Sequence, residues 1–147
     1  MGVCTFFGHK DCYNLDVDRL RTTIEALIRQ GVDTFYLGHQ GQFDSTVLAC
    51  LEKLQKEYPL IHFSVVLAYL PMHKTDHDLY SHCSILPEGL ELVPPKFAIA
   101  QRNRWMLEHA DHCICYVNHS WGGAYKYTCI AKQHGLCILN IGTLDLS

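Results

Sequence analysis

The sequence predicts an α/β fold in one domain over residues 1–147, with a doubly wound, mainly parallel sheet of about five strands and helices on both faces. Apolar runs typical of buried strands alternate with segments whose apolar residues recur at helical spacing. Each segment between strands is long enough for a right-handed crossover, the usual connection between parallel strands. No internal repeat and no low-complexity linker divides the chain.

Three strands and two helices are predicted in the first half of the chain. The strands are the runs VCTFF, DTFYLG and IHFSVVLAYL. Asn14 is expected to cap the first helix, which Gly31 ends. Its apolar face is Leu20, Ile24, Leu27 and Ile28. Asp44 or Ser45 is expected to open the second helix. Its apolar residues are Val47, Leu48, Leu51 and Leu54.

The second half begins with a long excursion at about residues 71–95, where periodicity fails and at most one short strand or turn is expected. Excursions of this length in compact domains are usually functional lids or disordered segments. Pro94 and Pro95 suit the start of a third helix. Its apolar positions at helical spacing are Ile99, Met106 and Ala110. The runs HCICYV and LCILNI are the fourth and fifth strands, and between them GGAYKYTCIAKQH is a helix that Gly135 stops.

Composition and charge are those of an ordinary soluble protein. The chain is 48% apolar and 18% charged, with a formal net charge of −3, so it offers no electrostatic argument for binding nucleic acid. No apolar run approaches the roughly 20 residues that span a bilayer, and the start MGVCTFFGHKDC lacks the layout of a signal peptide. We therefore expect a cytoplasmic protein with neither a membrane nor nucleic acid as a partner.

Eight cysteines and ten histidines are the unusual feature of the composition. The cysteines are scattered through predicted strands and helices, so most are expected to be reduced, small core residues. Cys113 and Cys115 alternate along one apolar strand, which is a burial pattern. Together with His109 and His112 they resemble a set of soft metal ligands, but structural zinc pairs usually sit on a turn with two to four intervening residues. No metal is expected.

Two glycine-containing turns follow the first and second strands. GHK places His9 and Lys10 directly after the first strand, where a ligand-facing position is plausible. GHQGQFD adds Gly38, Gly41 and Asp44 at the end of the second strand. Asp44 suits either a bond to ribose hydroxyls or a helix cap, and capping is the commoner role.

A third turn, NHSWGG, passes from the fourth strand into a helix. Its Gly122 and Gly123 allow backbone amides to approach an anion that a helix N-terminus favours, although they equally suit close packing of helix on sheet. Ser120 suits a cap or a phosphate oxygen, and Lys126 lies a turn or two further on. Trp121 and Tyr125 offer flat faces for a base. On the third helix, Arg102 and Arg104 are candidates for pairing with phosphate.

Four stretches in order, CTFFGHKD, FYLGHQGQFD, PEGLELVPPKFAIAQRNRWM and YVNHSWGGAYKYTCIAKQHG, resemble the SLOG superfamily of Rossmann-like proteins, in particular its small YpsA-like branch. The resemblance runs from Val3 to about Ile141. It implies a nucleotide-binding fold, proposed in that family to handle NAD-derived or related nucleotides, and oligomers are common there. The ligand contacts it implies are Gly8, His9, Gly38, Gly41, Arg102, Asn103, Gly122, Gly123 and Lys126.

The chain departs from this pattern at two places. Lys10 stands where relatives commonly have arginine, which keeps the charge but gives up the planar fork of donors. The related LOG phosphoribohydrolases carry a glutamate on the helix after the glycine turn, where this chain has Cys129 and no carboxylate further along. Because cleavage of a glycosidic bond generally needs a nearby carboxylate, that reaction is disfavoured.

Three functions follow from these observations. The leading one is binding of an ADP-ribose-like, NAD-derived or cyclic nucleotide, which the protein senses or sequesters, with no further cofactor. The second is a nucleotide N-glycosidase or phosphoribohydrolase, with Asp44, Glu88 or Asp11 as the carboxylate. The third is a non-catalytic scaffold that binds a protein partner through the excursion. A homo-oligomer is also expected, burying the apolar residues of the excursion, which are Leu79, Tyr80, Ile85 and Leu86.

Overall fold

A computed structural model of the chain describes residues 2–39, 41–68 and 84–146. The strands are β1 (Gly2–Gly8), β2 (Val32–Leu37), β3 (His62–Val66), β4 (Ser84–Ile85), β5 (His112–Tyr116) and β6 (Cys137–Asn140). The α-helices within the described ranges are α1 (Val17–Arg29), α2 (Gln42–Glu57), α3 (Pro95–Glu108) and α4 (Gly123–Gln133). A short 3₁₀ turn, Leu90–Leu92, precedes α3.

The strands form one parallel sheet in the order β4-β3-β2-β1-β5-β6. The chain moves outward from β1 to β4 and then returns to the other side of β1, so the winding reverses between β1 and β5. This is a Rossmann-like, doubly wound α/β fold, as predicted. Against about five expected strands the sheet has six, because Ser84 and Ile85 of the excursion pair with β3.

Two apolar clusters pack on opposite faces of the sheet. Alternate residues of a strand point to opposite faces, so Phe6 packs with α1 and α2 while Phe7 packs with α3 and α4. Leu20, Ile24 and Leu27, predicted to form the buried face of α1, are at most 2% exposed. The helices therefore cover both faces, and the carboxyl edge of the sheet is left for the turns.

Two predicted helix starts are wrong. α1 is capped by Asp16, whose carboxylate accepts the Arg19 amide hydrogen at 3.1 Å, and Asn14 lies outside the helix. α2 begins after Gly41, so Asp44 lies within its first turn and neither Asp44 nor Ser45 is the cap. A polar side chain near a helix start is a weak guide because several neighbouring residues can serve as the cap.

The buried residues of α3 also differ from the predicted set. Met106 is buried, but Ile99 is 39% exposed and Ala110 lies beyond the helix end. Arg102 is buried in a position where the helical pattern gave no reason to expect a charge. The opening half of α3 faces a cleft rather than the core, so apolar spacing alone misjudges this segment.

Most of the cysteines are buried and reduced, as predicted. Cys4, Cys12, Cys50, Cys113 and Cys115 are free and buried, whereas Cys129 is partly exposed and Cys137 is exposed. Within residues 2–39, 41–68 and 84–146, no group of three or more His, Cys, Asp or Glu side chains is arranged to hold a metal ion. In the same ranges no helix combines the length and apolarity needed to cross a membrane.

Part of the predicted oligomer surface lies outside the described residues. Leu79 and Tyr80 fall there, as do the end of the third predicted strand and its closing Pro71. Ile85 and Leu86, the remaining members of that set, are partly buried against the two core clusters of this chain. Packing within this chain therefore already buries part of the apolar surface of Ile85 and Leu86.

Candidate functional site

A cleft of about 450 Å³ opens at the carboxyl ends of β1 and β5, where the winding of the sheet reverses. Gly8 at the end of β1 and residues 9–11 of the turn after it line the cleft, together with Gly38 of the turn after β2. The turn after β5 contributes His119, Trp121 and Gly122, and the start of α4 contributes Gly123 and Ala124. The prediction that these three turns meet at one place is confirmed. The cleft is completed by Phe6, Phe7, Asp44, Ile99, Arg102, Asn103 and Met106.

Two of the cleft glycines are explained by close packing. A Cβ atom at Gly8 would lie 2.2 Å from Cγ of Phe43, so glycine here lets α2 pack directly on β1. A Cβ at Gly38 would lie 2.9 Å from both Nη1 of Arg102 and Oδ2 of Asp44. A larger residue at either position displaces neighbouring groups, whether or not a ligand is present.

Gly41, at the start of α2, is closed off by the turn after β1. Its φ of +99° and ψ of −173° suit only glycine, and a Cβ there would lie 3.0 Å from Cα of Lys10. The Gln42 amide donates to the Lys10 carbonyl at 3.1 Å, and the Gln42 side-chain oxygen accepts from the Cys12 amide at 3.3 Å. The N-terminus of α2 is therefore already engaged by protein groups, and Gly41 does not line the cleft.

The N-terminus of α4, by contrast, opens into the cleft. Gly122 caps the helix at φ +92° and ψ 173°, another glycine-only conformation, and provides no side-chain cap. A Cβ at Gly123 would meet no atom within 4 Å, and one at Gly122 would meet only Cε1 of His119, at 3.8 Å. In the described part of the chain no group accepts a hydrogen bond from the amides of Gly123, Ala124 or Tyr125. These amides form a site suited to an anion.

Three rings stack beside this helix end. The rings of His9 and His119 lie 3.8 Å apart between centroids, at an interplanar angle of 15°. His119 stacks in turn on Trp121, at 3.7 Å and 14°. Trp121 is 69% exposed, so its outer face is open to a flat partner such as a base.

Hydrogen bonds fix which nitrogen of each histidine carries a proton. Nε2 of His9 accepts the Asn118 amide hydrogen at 2.9 Å, so this nitrogen is unprotonated. Nδ1 of His119 lies 2.9 Å from the Trp121 carbonyl oxygen, which can only accept, so Nδ1 carries a hydrogen. Burial, and then the neighbouring His119, lowers the pKa of His9 and favours its neutral form.

Arg102 forms the floor of the cleft on the α3 side. It is 2% exposed, and its Nη1 donates to the Val66 carbonyl at 3.1 Å while its Nε donates to Oδ1 of Asn103 at 2.8 Å. A buried charge requires such partners. The arrangement fixes both predicted side chains on the cleft wall and places a positive charge close to its interior.

The predicted carboxylates divide between two places. Asp44 lines the cleft from the first turn of α2, and Asp11 lines it from the turn after β1. Glu88 lies instead in a separate groove with Arg104 and Glu108. Glu88 therefore does not line the cleft, and its prediction as the carboxylate of this site is wrong.

Four other predicted side chains lie away from the cleft. Ser120 and Tyr125 line a different groove, on the side of α4 that faces the end of the chain. The Lys126 ammonium lies 5.5 Å from the centre of the Tyr127 ring rather than in the cleft. Arg104 lies in the groove with Glu88. Lys10, Trp121 and the remaining predicted residues line the cleft, except for Gly41 and Glu88 as described.

His119 is a cleft residue that the sequence analysis did not single out. It stands in the quoted turn NHSWGG, but nothing in the linear pattern shows that it stacks on His9, which lies 110 positions earlier by number. Only the parallel pairing of β1 with β5 brings the two turns together. Ile99 and Met106 also line the cleft, although the sequence analysis identified them only as apolar positions of the third helix.

No family model matches this chain, and no curated protein is significantly similar to it in sequence. The resemblance to the SLOG superfamily therefore stays a prediction from the motifs. The class of fold is established by the sheet order, and the function must be argued from the chemistry of the cleft.

Proposed function

We propose that this protein binds a nucleotide-derived small molecule, of the ADP-ribose-like, NAD-derived or cyclic nucleotide type, and senses or sequesters it. The observation that carries the proposal is the open N-terminus of α4, with its glycine cap and available amides, in the cleft at the point where the winding reverses. An exposed aromatic ring stands beside it. Anion-binding amides next to a stacking surface match the two chemically distinct ends of a nucleotide.

In the proposed complex, phosphate oxygens accept hydrogen bonds from the amides of Gly123 and Ala124, where the helix dipole also favours negative charge. The base stacks on the outer face of Trp121. Asn103 and Asp44 also line the cleft, and in the complex they contact the ribose hydroxyls. The buried Arg102 supplies a positive potential within the cleft.

A second candidate function is hydrolysis of an N-glycosidic bond, and the position of Asp44 favours it. Asp44 lines the cleft. A Cβ atom placed on Gly38 would lie 2.9 Å from Oδ2 of Asp44 and 2.9 Å from Nη1 of Arg102. A carboxylate in the cleft suits stabilisation of an oxocarbenium-like centre. Replacing Asp44 with Asn separates the two functions: an enzyme loses turnover and keeps binding.

A thermal-shift panel of NAD, ADP-ribose, cyclic ADP-ribose isomers, cyclic dinucleotides and AMP tests the proposal. A ligand at 100 times its dissociation constant stabilises the native state by about 2.7 kcal/mol, which gives a clear rise in Tm. The bound compound is then recovered and chromatographed. Intact ligand supports the binder, free base supports the glycosidase, and no shift with any compound leaves a protein-binding scaffold as the better explanation.

We propose further that the chain forms a homo-oligomer. Three apolar side chains on the segment leading into and through the start of α3 support this, since Leu92 is 83%, Phe97 51% and Ile99 39% exposed. Association that covers them removes apolar surface from water. Size-exclusion chromatography with light scattering tests it, and a strictly monomeric mass at high protein concentration contradicts it.

A further inference from the structure

A second groove, of about 410 Å³, lies between α4 and the segment Leu144–Leu146, and we refer to it as the chain-end groove. Both of its walls are held in place by contacts within the chain. The Leu144 amide donates to the Val117 carbonyl at 3.0 Å, and the Lys132 ammonium donates to the Leu146 carbonyl. Leu144 and Leu146 also pack against the core cluster on this face of the sheet. The groove is therefore a built feature of the fold.

Four residues of α4 line the chain-end groove, namely Tyr125, Thr128, Cys129 and Lys132. They are spaced three and four positions apart, so they share one face of the helix. Cys129 is partly exposed. A hydrogen bond with its thiol raises the pKa of the Tyr125 hydroxyl. An accessible sulfur therefore lies in this groove with a hydroxyl beside it.

Thr128 has a buried hydroxyl that the fold leaves unsatisfied. The residue is 1% exposed, and among the residues that the structure describes its Oγ1 has no hydrogen-bond partner. Such a group costs free energy, and the great majority of buried polar side-chain atoms do have a partner. Because Thr128 lines the groove next to Cys129, a polar group of a molecule seated there would supply the missing hydrogen bond. This observation is independent of the thiol and points to a bound molecule.

The charges along the chain-end groove indicate the chemistry of that molecule. Lys132 contributes a cation and Asp145 contributes an anion. An ammonium has three hydrogens to donate, and the Leu146 carbonyl takes only one of those of Lys132. A groove with one group of each sign suits a molecule that carries both a carboxylate and an ammonium, as amino acids and small peptides do.

The surroundings of Cys129 differ from those of the other cysteines that the structure describes. Cys137 is exposed at the start of β6 and does not line the chain-end groove. The remaining ones are buried and closed to a reagent, and they are Cys4, Cys12, Cys50, Cys113 and Cys115. Within the described ranges, Cys129 alone combines access with a groove that can seat an attached group.

We propose that Cys129 is a modification site that forms a mixed disulfide with a small, peptide-like thiol, whose charged and polar groups then lie in the chain-end groove. The co-reactant is the disulfide of that thiol. The carboxylate of the attached half contacts Lys132, its ammonium contacts Asp145, and a polar group reaches the Thr128 hydroxyl. The inference is independent of the nucleotide cleft, so either proposal can fail without the other.

The exchange needs no other reactant. Cys129 gives up its thiol proton to solvent, and its sulfur attacks one sulfur of the small disulfide. The bond between the two sulfurs of that disulfide breaks as the bond to the Cys129 sulfur forms. The departing half leaves as a thiolate and takes up a proton. The Cys129 sulfur is thereby oxidised, and the departing sulfur is reduced to a thiol.

Oxidised glutathione is the probe for the test, because each half carries ammonium and carboxylate groups, and the neutral 2-hydroxyethyl disulfide is the reference. The full chain is incubated with each compound at about pH 8, and peptide mass spectrometry follows the adduct at each cysteine with time. For each cysteine, the rate with glutathione disulfide is divided by the rate with the reference. We expect this ratio to be at least about fivefold higher at Cys129 than at Cys137. Equal ratios overturn the inference.

Three variants show whether the groove is responsible for that preference. Thr128→Val removes the buried hydroxyl with little change of shape, and Lys132→Gln removes the cation. Each should lower the ratio at Cys129 by about threefold and leave the rate with the neutral reference unchanged. Lys126→Gln is the matched control, because Lys126 also belongs to α4 but lies over the Tyr127 ring, and it should keep the wild-type ratio.

Two outcomes with these variants contradict the inference. If Lys126→Gln lowers the ratio as much as Lys132→Gln does, the general charge of the helix attracts the probe and the groove does not recognise it. If neither Thr128→Val nor Lys132→Gln changes the ratio, the attached half does not lie in the chain-end groove.

Discussion

Glycine residues that look alike in the sequence have different roles in the cleft. Gly8 lies against the Phe43 ring, so its missing side chain is required by packing. Gly123 lies against nothing within 4 Å, so its missing side chain leaves room for a ligand. Both were expected to contact a ligand, and only the surroundings of each Cβ position distinguish them.

This distinction predicts that the same substitution destabilises the protein at one glycine and hardly at all at the other. Gly8→Ala should lower the free energy of unfolding by about 1–3 kcal/mol, because the new methyl group overlaps the Phe43 ring. Gly123→Ala should change it by less than about 0.5 kcal/mol, since the position is exposed and has an ordinary helical environment. Urea denaturation measures both. Equal destabilisation of the two variants contradicts this assignment.

The histidine stack also predicts how stability depends on pH. The pKa of His9 is lowered in the folded protein, so the unfolded chain binds more protons below about pH 6.5. The contribution of neutral His9 to the free energy of unfolding is therefore present above that pH and is lost as the pH falls toward the folded pKa. His9→Gln keeps an acceptor for the Asn118 amide but should reduce this loss. A variant whose Tm falls with pH as steeply as that of the wild type would contradict the assignment.

At the scale of the helices, the apolar pattern predicted each helix, and Pro94 and Pro95 marked the start of α3 correctly, but the starts of α1 and α2 were not predicted. α1 was expected to be capped by Asn14 and is capped by Asp16, and α2 begins two residues before the earlier of its expected caps, Asp44. Apolar spacing records which face packs on the sheet, and that face is shared along the helix. A cap depends on one local hydrogen bond, which neighbouring polar residues can make equally well.

Asn14 and Asp16, which both precede α1, provide a matched test of the helix cap. Asp16→Ala should lower the free energy of unfolding by about 1 kcal/mol, because the Arg19 amide loses its acceptor. Asn14→Ala should have little effect, since Asn14 is exposed and lies outside the helix. Thermal denaturation compares them, and a larger effect at Asn14 contradicts the assignment. Neither change should alter ligand binding.

At the scale of the whole molecule, alternation of strands and helices was enough to predict a doubly wound parallel sheet and the meeting of its turns. It allowed one short strand or turn in the excursion but did not locate β4, because two residues are too few to show a strand pattern. It also placed Ser120 and Lys126 in the site, although Ser120, just before α4, lines another groove and the Lys126 side chain on α4 lies over the Tyr127 ring. Direction depends on where the helix begins, and His119 joins the site only because β5 lies beside β1.

The function of the cleft is tested by native mass spectrometry of the wild type, Gly123→Leu and Gln133→Leu with the same nucleotide panel. Gln133 is exposed at the other end of α4, so its variant controls for an added leucine on that helix. We predict an intact nucleotide adduct on the wild type and on Gln133→Leu, and none on folded Gly123→Leu. Equal adducts on all three proteins, or no adduct on any of them, would contradict a nucleotide site at the start of α4.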